Sequence, residues 1–145
     1  MRIAGHPLHV MLVHFPVALW PAHLIFHAAA RWLPTGVAGS AGFWLLLVGT
    51  AVGWIAVACG AVDWFALVRE GVPQKVKDAT RHGVINAAVL MGFTAILGRE
   101  WSRYPGIVHG TAFLVGEALL VALLCLGNYF GGAVIWRGGG GQHAA

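Results

Sequence analysis

The residues most able to do chemistry are eight histidines, in a chain of which 59% is hydrophobic. An ionisable side chain in hydrocarbon is costly and therefore rare, so each one inside a membrane span is a candidate functional residue. Neutral imidazole is also a common ligand of transition metals and of haem iron. Six of the eight lie inside or at the edges of long apolar segments, namely His9, His14, His23, His27, His82 and His109.

The composition indicates an integral membrane protein. Only 10% of the 145 residues are charged, whereas soluble domains have roughly 25%. The net charge of +4 comes from Lys and Arg side chains spread along the loops. Because they form no basic helix or aromatic-interleaved patch, a nucleic-acid partner is not expected.

Four apolar segments are each close to the roughly 20 residues that cross a bilayer as a helix. They cover residues 9–30, 41–67, 82–97 and 107–130. The first has no small-residue cleavage site after a short apolar run, so we interpret it as a retained helix. The pattern predicts an all-α, integral membrane, four-helix up-and-down bundle over residues 1–137, followed by a flexible glycine-rich tail over 138–145.

The distribution of Lys and Arg predicts the orientation. Both chain termini and the loop 68–81 are expected in the cytoplasm, because the side with more Lys and Arg stays there. That side holds Arg2, Arg69, Lys75, Lys77, Arg81 and Arg137, and the other side holds Arg31, Arg99 and Arg103.

An up-and-down bundle brings the histidines together by depth in two layers. The start of the first helix is level with the start of the third, which places His9 or His14 near His82. The end of the first helix is level with the start of the fourth, which places His23 or His27 near His109. Four-helix bundles hold cofactors between facing helices in this way, and a b haem needs one imidazole on each side of its ring.

Rotation around the first helix gives a second criterion. At 100° per residue, His9, His23 and His27 share one face, whereas His14 lies about 140° away from His27. Two prolines between the layers can disturb this phase, so the prediction follows depth instead. The predicted iron ligands are His14 with His82, with His9 as the substitute, and His27 with His109 for a second haem.

Several other polar residues have candidate roles. Glu117 lies near the middle of the fourth segment and could accept a proton, orient a ligating imidazole or make a structural bond. Asn86 could orient His82 or bridge helices, and Arg81 could neutralise a haem propionate. Asp63 and Asn128 are interpreted as interfacial residues.

Simpler interpretations stay open for many of these residues. A histidine near a helix end is often only interfacial, and one inside a span can hydrogen-bond to a neighbouring helix. Cys59 and Cys125 each stand alone and are interpreted as packing residues. Gly49, Gly53 and Gly60 form small-xxx-small patterns that favour close helix packing, or close approach of a flat macrocycle.

Four motifs resemble a bacterial membrane family catalogued as domain of unknown function 2231. The opening motif of that family has the form His-Pro-Leu-His-Pro-x-Leu-Val-x-Phe-Pro, and residues 5–19 are similar to it. Residues 60–64 (GAVDW) resemble the end of its second helix, 79–86 (ATRHGVIN) the start of its third, and 131–136 (GGAVIW) its closing motif. Val10 stands where the family usually has a second proline.

The resemblance implies four membrane helices in the bacterial inner membrane. Family members that occur with, or are fused to, Rieske or cytochrome partners imply membrane electron transfer. The carry-over covers His6, His9, His14, Asp63 and His82. It does not cover His23, His27 or His109.

These observations predict a cytochrome b-like protein that carries electrons, with one or two b haems and a quinone or a cytochrome or Rieske protein as partner. Bis-histidine ligation leaves no open iron position, so an electron carrier is expected rather than a stand-alone enzyme. One alternative is a metal-binding or transport protein that uses His6, His9 and His14. The other is a structural subunit of a membrane redox complex, and an oligomer is compatible with each.

Overall fold

The computed structural model of the chain contains four long helices and describes residues 2–3, 6–33, 35–104 and 110–139. The helices are α1 (Leu8–Ala29), α2 (Thr35–Glu70), α3 (Pro73–Trp101) and α4 (Thr111–Gly139). Ahead of α1, the two-residue strand β1 (Arg2–Ile3) pairs antiparallel with β2 (His6–Pro7). The predicted all-α architecture is confirmed.

Each of the four helices is long and apolar enough to cross a membrane. Most extend past their apolar segments, because flanking polar residues continue the helix. The 36 residues of α2 would span about 54 Å at 1.5 Å per residue, against about 30 Å of hydrocarbon. Gly71 ends this helix with a φ of 71°, which glycine adopts without a Cβ penalty. Pro73 then begins α3, where its missing N–H costs nothing.

Successive helices run antiparallel and neighbour one another around the bundle, with α4 returning to α1. Trp64 near the end of α2 donates its Nε1–H to Thr80 near the start of α3, at 2.9 Å. We call the end of the bundle where α2 joins α3 the hairpin end. The opposite end, where α1 joins α2 and α3 joins α4, is the loop end.

A narrow apolar layer fills the middle of the bundle. Trp20 of α1 stacks on Phe93 of α3 with ring centroids 4.5 Å apart. Its indole Nε1–H donates to Thr50 of α2 at 3.3 Å, which satisfies the buried donor. Large apolar side chains also point outward, such as Ile25 at 66% exposure and Leu119 at 62%. An outward apolar surface is what lipid contact requires.

Helix α4 runs to Gly139, past the boundary at 137 predicted for the bundle, and residues 140–145 lie outside the described part of the chain. Cys59 is buried, Cys125 is exposed, and both are free thiols.

Candidate metal centre

Four buried side chains from three helices meet near the loop end. They are His23 and His27 of α1, Glu100 of α3 and Glu117 of α4, which we call the His–Glu cluster. Their exposed fractions are 0%, 2%, 1% and 1%, respectively. One nitrogen or oxygen atom from each residue lies within 4.8 Å of the others, a spacing that could hold a metal ion.

The contacts within the His–Glu cluster are short. His23 Nε2 lies 3.2 Å from Glu117 Oε1, and His27 Nδ1 lies 3.0 Å from the same oxygen. His27 Nε2 lies 3.4 Å from Glu100 Oε1. Glu117 Oε2 is buried with no hydrogen-bond partner among the described residues. A buried carboxylate oxygen without a partner is costly, and an ion or water is one explanation for it.

The cluster has too few hydrogens for all its contacts to be hydrogen bonds when both imidazoles are neutral and both carboxylates are ionised. His23 Nδ1 lies 2.9 Å from the Gly42 carbonyl oxygen, so it carries the hydrogen and a neutral ring has its lone pair on Nε2. A neutral His27 also has one lone pair, and both of its nitrogens face carboxylate oxygens. With neutral imidazoles and ionised carboxylates, two contacts set a lone pair against an anionic oxygen. Two protons or one divalent cation would remove both repulsions.

Local sequence explains how the cluster is assembled. His23 and His27 are one turn apart on α1, and their ring centroids lie 3.8 Å apart. Gly42 leaves room for the ring of His27, since a Cβ at residue 42 would lie 2.9 Å from His27 Cδ2. Phe93 closes the side toward the middle of the bundle, with its ring edge-on to His23 at 6.3 Å.

A second group of polar side chains borders a cavity of about 40 Å³ at the hairpin end. We call it the hairpin-end cavity, and His9, His82, Asn86 and Asn128 are its polar lining residues. The rings of His9 and His82 are nearly perpendicular, with centroids 5.9 Å apart. His9 donates from Nδ1 to the Ala56 carbonyl at 2.8 Å.

His82 makes the equivalent contact on the other side of the cavity. Its Nδ1 lies 2.9 Å from the Gly127 carbonyl. Glycines leave space for both rings. A Cβ at Gly60 would lie 2.8 Å from His9 Cε1, and one at Gly131 would lie 2.7 Å from His82 Nδ1. Gly60, for which the sequence predicts close approach of a helix or of a macrocycle, therefore makes space for the ring of His9.

The predicted pairing of His14 with His82 is not the one that the structure brings together. His14 is exposed on the outer surface of α1, and its Nδ1 donates to the Val10 carbonyl of its own helix at 2.7 Å. The substitute ligand His9 faces His82 instead. The physical reason is rotation, because α1 keeps its phase through Pro16 and Pro21.

The predicted second layer is only partly described. His109 lies outside the described residues, as does the side chain of His6. His27 has both ring nitrogens facing carboxylates, and so differs from an axial haem ligand with one nitrogen free for iron. Arg81, the predicted propionate partner, is exposed, and its guanidinium lies 5.5 Å from the Phe130 ring centroid.

Glu100 is the cluster residue that sequence reasoning missed. The third apolar segment predicted from the sequence ends at residue 97, before Arg99 and Glu100, but α3 continues to Trp101 and buries Glu100. The sequence does give the depth of Glu100, because the end of α3 is level with the end of α1. Depth alone does not tell whether the side chain faces water or the buried histidines. Asn128 also differs from its interfacial interpretation, since it lines the hairpin-end cavity.

The room around His9 and His82 suits an ion better than a porphyrin. Both histidines donate from Nδ1, which is how a ligating imidazole is commonly oriented. However, a cavity of about 40 Å³ holds about three water molecules at roughly 10–15 Å³ each. The described arrangement therefore does not accommodate the flat macrocycle of haem b.

The fold and these two sites define a class, a helical membrane protein with an ionisable interior. The chain belongs to the family described as predicted membrane protein (DUF2231), whose sequence pattern matches residues 5–144. No curated protein and no solved structure matches the chain.

Proposed function

We propose that this membrane protein binds one divalent first-row transition-metal ion at the His–Glu cluster. The observation that carries the proposal is the convergence of four buried ligand residues from three helices, with one donor atom from each within 4.8 Å of the others. Two imidazoles and two carboxylates suit zinc, iron and manganese.

The distances support this donor set. In a tetrahedral site with metal–ligand bonds of about 2.0–2.1 Å, neighbouring donor atoms lie about 3.3–3.4 Å apart. One imidazole gives one ion a single nitrogen, so the 3.4 Å contact from His27 Nε2 to Glu100 does not belong to a donor set that uses His27 Nδ1. In that set, His23 Nε2 and His27 Nδ1 lie 3.2 and 3.0 Å from Glu117 Oε1, close to the tetrahedral spacing.

The charges support a divalent ion. Two carboxylates buried in a membrane bundle need compensating positive charge, because an unpaired charge in hydrocarbon costs several kcal/mol. One divalent cation neutralises both carboxylates and occupies the contacts in which a lone pair faces an anionic oxygen.

The surroundings would orient the ligands. The Gly42 carbonyl accepts from His23 Nδ1, which leaves Nε2 of that ring for an ion. Hydrogen bonds of this kind fix the tautomer of a ligating histidine and raise metal affinity. Glu117 Oε2, the carboxylate oxygen without a described partner, is a further donor.

Metal analysis of the purified full-length protein tests the proposal. After chelation and buffer exchange, the protein in detergent is titrated with Mn²⁺, a hard ion that prefers carboxylates, and with Zn²⁺. We expect about one ion per chain, with binding weakened about 10–100-fold in Glu117→Gln and Glu100→Gln. Mn²⁺ binding is followed by electron paramagnetic resonance, and Zn²⁺ by elemental analysis.

Glu70→Gln is the matched control, because Glu70 is an exposed carboxylate at the end of α2. It should bind like the wild type. Circular dichroism and size-exclusion chromatography establish that each variant is folded. The proposal is wrong if the chelated wild type takes up neither ion, or if Glu117→Gln binds as tightly as Glu70→Gln.

Haem-based electron transfer is the second candidate, and its support is the orientation of His9 and His82 through their Nδ1 atoms. It requires the helices around the hairpin-end cavity to move apart until the cavity holds a porphyrin. Haem b, a quinone and a cytochrome or Rieske partner stay predictions. A red preparation with a sharp reduced α-band would favour this candidate, whereas a colourless preparation from haem-replete cells would exclude it.

A further inference from the structure

We infer that His9 and His82 form a second metal site, in the hairpin-end cavity, which takes a copper ion through the two Nε2 atoms. This site goes beyond the proposed function, because it uses neither of the carboxylates and neither of the histidines of the His–Glu cluster.

The tautomers leave one lone pair on each ring. Nδ1 of His9 faces the Ala56 carbonyl at 2.8 Å, and Nδ1 of His82 faces the Gly127 carbonyl at 2.9 Å. A carbonyl oxygen only accepts, so each Nδ1 carries the hydrogen and each neutral ring has its lone pair on Nε2. The side-chain amide of Asn86 also contacts His82 Nδ1, through its nitrogen at 3.0 Å, and its Oδ1 is buried with no partner among the described residues. Turning this amide by 180° lets Oδ1 accept from Nδ1 and satisfies both groups. Both rings border the same cavity.

The separation of the rings matches ligation of one ion. When two imidazoles bind one ion at about 2.0–2.1 Å, their centroids lie about 5 Å apart for a tetrahedral angle and about 6.3 Å apart for a linear one. The observed 5.9 Å corresponds to an angle of about 140° at the ion. Low coordination of this kind is compatible with copper.

The cavity lining favours an ion of low charge. Its polar members are the two histidines and the amides of Asn86 and Asn128, and no carboxylate is among its described lining residues. The desolvation cost of an ion grows with the square of its charge, so Cu⁺ enters a neutral site more easily than a divalent ion. Imidazole is a ligand that suits copper.

An apolar wall separates this cavity from the His–Glu cluster. Trp20 lines the cavity and stacks on Phe93, which in turn lies against His23. The two sites therefore have different donor atoms and lie in separate parts of the bundle. One site can be lost without the other.

The experiment uses the full-length protein in detergent, titrated with Cu⁺ under reducing conditions against a coloured Cu⁺ chelator. We expect the wild type to bind about one Cu⁺ per chain, and His82→Ala and His9→Ala to lose that equivalent. His14→Ala is the control on α1, because His14 is exposed and bonded within its own helix. It should bind copper like the wild type.

A pair of adjacent glycines gives a test that keeps both ligands. Gly131→Ala places a methyl group 2.7 Å from His82 Nδ1, whereas a Cβ at Gly132 meets nothing within 4 Å. We expect copper binding to weaken at least tenfold in Gly131→Ala and to be unchanged in Gly132→Ala. Equal binding by these two variants would overturn the assignment.

X-ray absorption by the copper-loaded wild type tests the donor set without any substitution. Nitrogen donors at about 2.0 Å with no sulfur at about 2.3 Å are expected. A sulfur shell would overturn the proposal in favour of the free thiols. Glu117→Gln should bind copper like the wild type, because Glu117 belongs to the other site. Copper binding is therefore expected even if the His–Glu cluster binds no metal. Haem that co-purifies with the wild type and is lost in His82→Ala would also overturn the copper assignment.

Discussion

The ring of His27 lies directly against Gly42, so closely that a Cβ at residue 42 would stand 2.9 Å from Cδ2 and 3.2 Å from Nε2 of the imidazole. This glycine, the eighth residue of α2, allows the His–Glu cluster to form between α1, α3 and α4. The absence of a side chain at one position is therefore part of the candidate site.

Gly42→Ala should displace His27 and weaken the His–Glu cluster. We expect metal affinity to fall about 10–100-fold and the free energy of unfolding to fall by about 1–3 kcal/mol from overpacking. Gly36→Ala, also on α2, is the control, since its Cβ would meet nothing within 4 Å. Replacement of glycine by alanine in an open helical position stabilises by up to about 1 kcal/mol. The free energy of unfolding in detergent should fall in Gly42→Ala and rise in Gly36→Ala. A change of the same sign in both variants would contradict the packing argument.

Thr50 should stabilise the bundle through one hydrogen bond. Its Oγ1 accepts from the buried Trp20 Nε1–H at 3.3 Å. Thr50→Val keeps the shape but removes the acceptor, so we expect a loss of about 0.6 kcal/mol and at most about 1.7 kcal/mol. Thr50→Ser retains a hydroxyl and should recover part of the loss. A valine variant as stable as the wild type would show that the bond contributes nothing.

The four helices could be predicted because lipid restricts the choice of structure. A spanning segment must satisfy its backbone hydrogen bonds internally, so each apolar run of sufficient length indicates a helix. The true helix ends could not be predicted this way. An apolar scan stops at the first charges, whereas α3 begins at Pro73 and continues through Lys75 and Lys77 with unbroken helical geometry.

The candidate site could be predicted in part. Rotation at 100° per residue placed His9, His23 and His27 on one face and His14 on another, and this matches the structure. The depth argument ranked His14 above His9 because prolines were expected to disturb the phase, and that ranking does not match the contacts. The role of Glu100 needed tertiary information, since a charge at the end of an apolar run looks the same whether it faces water or a buried histidine.

His14 and His23 offer a direct comparison on one helix. His14→Leu replaces an exposed ring on the membrane-facing surface, so stability should stay within about 0.5 kcal/mol of the wild type or increase. His23→Leu removes the partner of the buried Glu117 and should cost about 3–5 kcal/mol. The measurement is reversible unfolding in mixed micelles or bicelles. A larger loss for His14→Leu would indicate that its ring faces a protein partner rather than lipid.

The orientation predicted from Lys and Arg can be tested with single cysteines. In a background with Cys59 and Cys125 replaced by alanine, Lys77→Cys reports on the hairpin end and Arg103→Cys on the loop end, since both positions are exposed. The side richer in Lys and Arg stays cytoplasmic. Residue 77 should therefore react with a membrane-impermeant maleimide only in inverted vesicles, and residue 103 only in intact cells or spheroplasts. The reverse pattern would place the hairpin-end cavity at the outer face and the His–Glu cluster toward the cytoplasm. Labelling of both residues from one side would contradict an up-and-down bundle that spans the membrane, because the two positions lie at opposite ends of α3 and its following turn.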